Sequence, residues 1–148
     1  MDFDGVLRRE TSPPYCFDQD CVENFERAIR HDAISKIVIS STWRLAIPLK
    51  ELRGRFSADV AARIVGKTPE SLEEETYERY AEIMAFLESK NIMAMPWVAI
   101  DDNPAHFPKG SPVIFTDPKR GFDAACAAQL VQMLLACQSA RYFCQGSA

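Results

Sequence analysis

The sequence predicts an α/β protein built around a mostly parallel sheet. Short, continuous, largely β-branched apolar runs at residues 36–41, 97–100 and 113–115 have the character of strands covered on both faces. Stretches with helical spacing separate them, and such alternation produces parallel strands joined by short crossovers. Polar and acidic residues follow the apolar runs directly, at the strand ends where open α/β sheets bind ligands.

The elements follow in order. Residues 11–15 contain two prolines and read as a loop. Val22, Phe25, Ala28 and Ile29 recur at helical spacing after Asp20, which stands where a cap belongs, and predict a helix ending near His31. The strand at 36–41 leads into Thr42-Trp43-Arg44-Leu45, helix-compatible until Pro48 interrupts it. Residues 58–64 read as a short helix closed by Gly66, and Lys67 falls in a loop. Tyr80, Ile83, Met84 and Leu87 form an apolar stripe within a predicted helix over 72–90, with Glu73-Glu74-Glu75 in its first turn, where negative charge suits the helix dipole. A last helix is expected over 122–140, with Leu130, Leu134 and Cys137 on one side.

Composition narrows the function classes. The 148 residues suit one domain over 1–148; 47% are hydrophobic and 26% charged, too apolar for a disordered chain. A net charge of −4 provides no general attraction for nucleic acid, so such contacts must be local. No apolar run approaches the ~20 residues of a membrane span, and the start lacks a secretory pattern, so a cytoplasmic protein with no membrane partner is expected. Cys16, Cys21, Cys126, Cys137 and Cys144 form no CxxC pair; a zinc site on Cys16, Cys21 and His31 is disfavoured against ordinary thiols.

Three polar sets end the apolar runs: Asp2 and Asp4, then Ser40, Ser41 and Thr42, then Asp101 and Asp102. Clustered carboxylates raise one another's pKa unless a cation offsets them, and hard oxygen ligands imply Mg²⁺. Asp2, Asp101 and Asp102 carry −3 together, so a phosphate monoester of about −2 would be repelled without a metal and a cationic side chain.

These residues resemble the haloacid dehalogenase (HAD) superfamily. Asp2-Phe3-Asp4-Gly5-Val6-Leu7 matches its first motif, Ile37-Val38-Ile39-Ser40 its second and Ile100-Asp101-Asp102 its fourth. Ser40-Ser41-Thr42-Trp43-Arg44, Gly66-Lys67-Thr68-Pro69, Arg79 with Glu82-Ile83, and the paired Asp101-Asp102 further resemble the HAD domain of Swiss Army Knife RNA-repair proteins. The resemblance covers residues 2–115. It implies a HAD-like Rossmannoid three-layer sandwich with a small or absent cap. It implies a Mg²⁺-dependent phosphatase in which Asp2 forms an aspartyl-phosphate and binds metal, while Asp4 serves as general acid and base with its carbonyl on the metal. Asp102 would be the further metal ligand and Asp101 the group orienting it, or the reverse. Ser40 would bind phosphate, with Ser41 as an alternative or a helix cap, and Gly5 would let the chain turn beneath the phosphate. The third-motif cation would be Arg79, 22 residues before Asp101, in preference to Lys67. Trp43 reads as core, Arg44 equally well as surface charge, and His106 as structural.

The expected substrate is a phosphorylated one, with nucleic-acid ends suggested by the family association. The contrasting reading is a catalytically inactive HAD-like module that binds phosphorylated ligands or proteins. Only Met1 precedes Asp2, so the first strand is expected to be truncated; the slot would then invite self-association or a partner segment.

Overall fold

β-Branched segments form four short strands among the described residues: β1 (Ile37–Ile39), β2 (Ile64–Lys67), β3 (Ala99–Asp101) and β4 (Val113–Phe115). The computed structural model describes the backbone of residues 1–71 and 76–145, and side chains among them as far as Gln138. The helices are α1 (Gln19–Ile29), α2 (Trp43–Ala46), α3 (Leu49–Arg53), α4 (Ala58–Ala61), α5 (Glu78–Ser89) and α6 (Ala124–Gln145), with a 3-10 turn at Pro104–His106.

The strands make two parallel pairs. In one, Val38 lies opposite Gly66 and Ile39 opposite Lys67; in the other, Ile100 lies opposite Ile114 and Asp101 opposite Phe115. Residues 1–3 lie between the pairs. The Met1 amine donates to the Val38 carbonyl at 2.8 Å and the Ser40 amide to the Met1 carbonyl at 3.0 Å. On the other side the Asp2 amide donates to the Ile100 carbonyl at 2.9 Å. The short first segment therefore engages both neighbouring strands at the level of the acidic residues.

Apolar residues on β3 and β4 alternate between two clusters, as the strand period requires. Ile100 and Ile114 join the main core with Phe3, Phe25, Ile39 and Phe122, whereas Ala99 and Val113 join Phe107 and, from α5, Tyr80 and Ile83. Both faces of this pair are thus covered, which explains its uninterrupted apolar sequence. Small parallel sheets with interspersed helices are compatible with the expected α/β architecture. None of the helices among the described residues is long and apolar enough to cross a membrane.

Several element boundaries differ from expectation. The predicted helix over 58–64 ends at Ala61, and Ile64 and Lys67 lie on β2. Two apolar residues before Gly66 are too few to register as a strand alone; pairing with β1 makes it one. Lys67 consequently ends a strand instead of sitting in a loop. Asp18, not Asp20, precedes α1, and its carboxylate accepts from the Arg9 amide at 2.7 Å instead of capping the helix. Asp20 instead pairs with Arg9. The β3 strand is Ala99–Asp101 where 97–100 was expected, and α6 runs from Ala124 to Gln145. The expected start of the helix near Leu72 and the placement of Glu73-Glu74-Glu75 lie outside the described residues, where α5 is seen from Glu78.

Candidate active site

The chain turns sharply after Asp4. The amides of Val6, Leu7 and Arg8 all donate to the Phe3 carbonyl, at 3.1, 2.8 and 2.9 Å, and the Gly5 amide donates to the Arg8 carbonyl at 2.7 Å. Gly5 has φ +69, and a Cβ there would lie 2.3 Å from Asp102 Oδ2. Only glycine allows this backbone to rest against Asp102. Thr116 Oγ1 fastens the turn by donating to the Gly5 carbonyl at 2.8 Å.

This packing brings Asp2 together with the acidic pair at the end of β3. Asp2, Asp101 and Asp102 each offer a carboxylate oxygen, all within 4.8 Å of one another. Asp2 and Asp101 are buried and Asp102 is half-buried. Burial, then the Asp2 charge, pushes Asp101 up to about 6 and Asp102 above the usual carboxylate range. Asp101 is held on the protein side: its Oδ1 accepts from the Asn103 amide at 3.0 Å and lies 3.7 Å from His106 Nδ1. Its Oδ2 is 3.5 Å from Arg79 Nε, yet both atoms are buried without a hydrogen bond. A compact set of hard oxygens, one of them lacking a donor, fits a small divalent cation such as Mg²⁺.

The Asp4 carboxylate stands apart from that cluster. Its Oδ1 accepts from Arg8 Nη1 and its Oδ2 from Trp43 Nε1, both at 2.8 Å. Trp43 is 4% exposed, as a core residue should be, while its indole nitrogen reaches the site. Asp4 lines an open pocket of about 310 Å³ together with Arg8, Tyr15 and Trp43.

The second motif lies across the first segment. Ser40 and Ser41 are buried at the end of β1, and Ser41 Oγ accepts weakly from the Trp43 amide at 3.4 Å. Thr42 occupies the position before α2 without capping it by its side chain. The two candidate cations are both engaged. Arg79, 6% exposed, donates to the Ser40 carbonyl and, at 2.8 Å, to Glu82. Lys67 Nζ donates to the Arg44 carbonyl at 2.5 Å, at the C-terminal end of β2. The structure thus sets Arg79 against Asp101 and the Ser40 loop.

Arg44 is no surface charge. It is 2% exposed and donates to the carbonyls of Ser40, Ser41, Thr68 and Pro69 as well as to Glu82 Oε1 at 2.5 Å. Glu82 accepts from Arg44 and Arg79 with different oxygens, so one carboxylate joins α5 to α2 and the loop before it. Arg44 was unreadable because its role depends on carbonyls separated by more than 20 residues. Arg8 had a local signal, since it lies four residues after Asp4.

Comparison with known proteins returns one family. The model described as the HAD domain in Swiss Army Knife RNA repair proteins matches residues 1–127. No curated protein and no solved structure matches.

Proposed function

Because this chain belongs to the HAD-domain family of Swiss Army Knife RNA repair proteins, we propose that it is a Mg²⁺-dependent phosphohydrolase acting through an aspartyl-phosphate on Asp2. Membership points to HAD-type hydrolase chemistry, most naturally phosphatase chemistry. The observation that carries the finer reading is the cluster of Asp2, Asp101 and Asp102 carboxylates within 4.8 Å at the strand ends. In this reading β2, β1, residues 1–3, β3 and β4 are neighbours in one sheet, the middle layer of a three-layer sandwich.

Asp2, Asp101 and Asp102 would hold the metal, with the Asp4 carbonyl as a further oxygen; bound Mg²⁺ offsets the three negative charges and polarises the phosphoryl group. Asp2 attacks phosphorus as the bond to the leaving oxygen breaks. Asp4, fixed by Arg8 and Trp43, gives that oxygen a proton. Asp4 then takes a proton from water, whose oxygen attacks phosphorus, releasing phosphate and restoring Asp2. Ser40 and Ser41 hydrogen-bond the phosphoryl oxygens, Gly5 keeps the backbone close beneath them, and Lys67 supplies positive charge from the end of β2. Arg79 acts as counter-ion to Asp101, holding it against Asp102's neighbourhood. The open pocket beside Asp4 suits phosphate at an accessible end, which together with the family's description supports nucleic-acid end phosphates as substrates.

The test compares wild type with Asp2→Asn and Asp4→Asn on p-nitrophenyl phosphate and on end-phosphorylated RNA, in Mg²⁺ and in EDTA. Turnover should require both Mg²⁺ and Asp2, and mass spectrometry should find phosphate on Asp2. Metal-dependent turnover that survives Asp2→Asn would sink the mechanism. Folded protein that binds phosphorylated ligands without turnover would be a binding module instead.

A further inference from the structure

We infer that Tyr15 is a stacking platform for the leaving group, and that the preferred leaving group carries a nucleobase one sugar away from the scissile ester. This deepens the phosphatase reading above and rests on it for the location of the reacting phosphate. The pocket beside Asp4 is walled by Arg8, Pro14, Tyr15, Thr42 and Trp43, so whatever receives the proton from Asp4 leaves past these side chains.

Trp43 has no face to offer. It is 4% exposed, Phe17 stacks on it with ring centroids 5.3 Å apart, and the Arg55 guanidinium lies 5.3 Å from its ring centroid. Tyr15 meets Trp43 edge-on at 5.0 Å and is itself 52% exposed. The accessible aromatic surface of the pocket therefore belongs to Tyr15, with Trp43 as its support.

Tyr15 is also held in place. Its φ of +59 is unusual for a residue with a bulky side chain, and such backbone persists where the surroundings fix it. Arg55 Nη1 donates to the Tyr15 carbonyl at 2.6 Å, and Arg8 Nε donates to the Pro13 carbonyl at 3.0 Å. The same Arg8 guanidinium bonds Asp4, so the group that donates the proton and the segment that carries Tyr15 share one anchor. A preformed aromatic face costs little ordering when a flat ring stacks on it, and base–aromatic stacking tolerates any base.

The spacing selects among aromatic leaving groups. The Trp43 indole bonds Asp4 with its nitrogen and supports Tyr15 with its ring, so one side chain links the proton donor to the stacking face. An aryl phosphate carries its ring directly on the ester oxygen that faces Asp4, with no spacer to carry the ring on to Tyr15. A nucleotide interposes a sugar between the ester oxygen and its base.

Equilibrium binding to the Asp2→Asn protein in Mg²⁺ tests the inference, using adenosine 3′-monophosphate, ribose 5-phosphate and phenyl phosphate as probes. The nucleotide should bind about ten-fold tighter than either other ester, and Tyr15→Ala should abolish that ratio while Tyr15→Phe preserves it. In the wild-type background the same ratio should appear in KM, guarding against a fold defect in Asp2→Asn. Equal affinities, a preference that survives Tyr15→Ala, or a Tyr15-dependent preference for phenyl phosphate would each overturn it, as would no binding. Asp2-dependent hydrolysis of p-nitrophenyl phosphate without a nucleotide preference defeats this inference alone. Absence of all turnover defeats the phosphatase reading, while the binding ratio still decides the role of Tyr15.

Discussion

Asp102 packs on Gly5 and faces Asp2, so its negative charge is costly without a cation and useful with one. Asp102→Ala should therefore raise the metal-free melting temperature and abolish the rise that Mg²⁺ produces in wild type; melting curves with and without Mg²⁺ decide both. A ligand at a hundred times its Kd stabilises by about 2.7 kcal/mol, or roughly 5–10 °C for a chain of this size. An undiminished Mg²⁺ response would reject Asp102 as a ligand. Asp101 supplies a pH signature. Its carboxyl is pushed up to about 6 by burial and by Asp2, so between about 4 and about 6 the folded chain holds a proton that the unfolded chain has lost. That contribution to stability falls as pH rises through the interval, by at most about 3 kcal/mol, and is flat above it. Urea titrations in EDTA should show wild type losing stability relative to Asp101→Asn from pH 4 to 6; a constant difference would refute the assignment. These carboxylates were legible because their motifs are local in sequence. Their packing against Gly5, which makes the cluster tight, depends on a positive φ and on a contact across almost a hundred residues.

The short helix α2 and the longer α5 are joined by a buried ion network that the sequence signals only as scattered polar letters. Arg44 uses its whole guanidinium fork on Glu82 and four carbonyls, tying the end of β1 to the segment beyond β2. Removing one partner of such a buried pair leaves a desolvated charge behind, so Arg44→Ala should cost about 3–5 kcal/mol by urea denaturation. Arg44→Lys should recover little of it, because an ammonium cannot reproduce a planar fork with bonds in several directions. Stability within 1 kcal/mol of wild type for either variant would contradict this account. Arg79 belongs to the same network through Glu82 and Ser40, and touches Asp101 as well. Arg79→Ala should lower both stability and kcat, whereas Lys67→Ala should act mainly on kcat and KM, since Lys67 bonds a single carbonyl. A stability loss as large in Lys67→Ala would erase that distinction. At this scale the apolar runs of β1, β3 and β4 were readable from their side chains. The β2 strand was not, because two apolar residues before a glycine become a strand only through the neighbour they pair with.

Across the whole molecule, the alternation of apolar runs and helical stretches foretold the parallel pairing, but not that residues 1–3 would hold the two pairs together. The first segment leaves no sequence periodicity to detect; its register is set by the Val38, Ser40 and Ile100 backbone groups it meets. Phe3 anchors it. The ring is fully buried, packs edge-on against Phe17 and Trp43 at 5.0 and 5.4 Å, and lies in the sequence between Asp2 and Asp4. Phe25 occupies the same core, packed against Phe122 at 5.8 Å, without adjoining a site carboxylate. Truncating either to alanine should cost about 3–5 kcal/mol, since each leaves a ring-sized void in a close-packed interior. Their effects on the site should differ. With the Phe3 ring gone, the strand-end turn that aims Asp2 at the Asp101–Asp102 pair and Asp4 at the pocket keeps its backbone bonds and the Thr116 bond to Gly5 but loses its anchor in the core. Phe3→Ala should therefore weaken Mg²⁺ affinity and depress kcat per folded molecule, while Phe25→Ala, studied below its lowered melting temperature, should keep a wild-type Mg²⁺ titration. Calorimetric titration of Mg²⁺ into both variants, with the folded fraction measured by circular dichroism, separates the two losses. Equal Mg²⁺ affinity in the two variants would mean that backbone bonds to the neighbouring strands suffice to place Asp2 in the acidic cluster, and that the Phe3 ring serves only to fill the core.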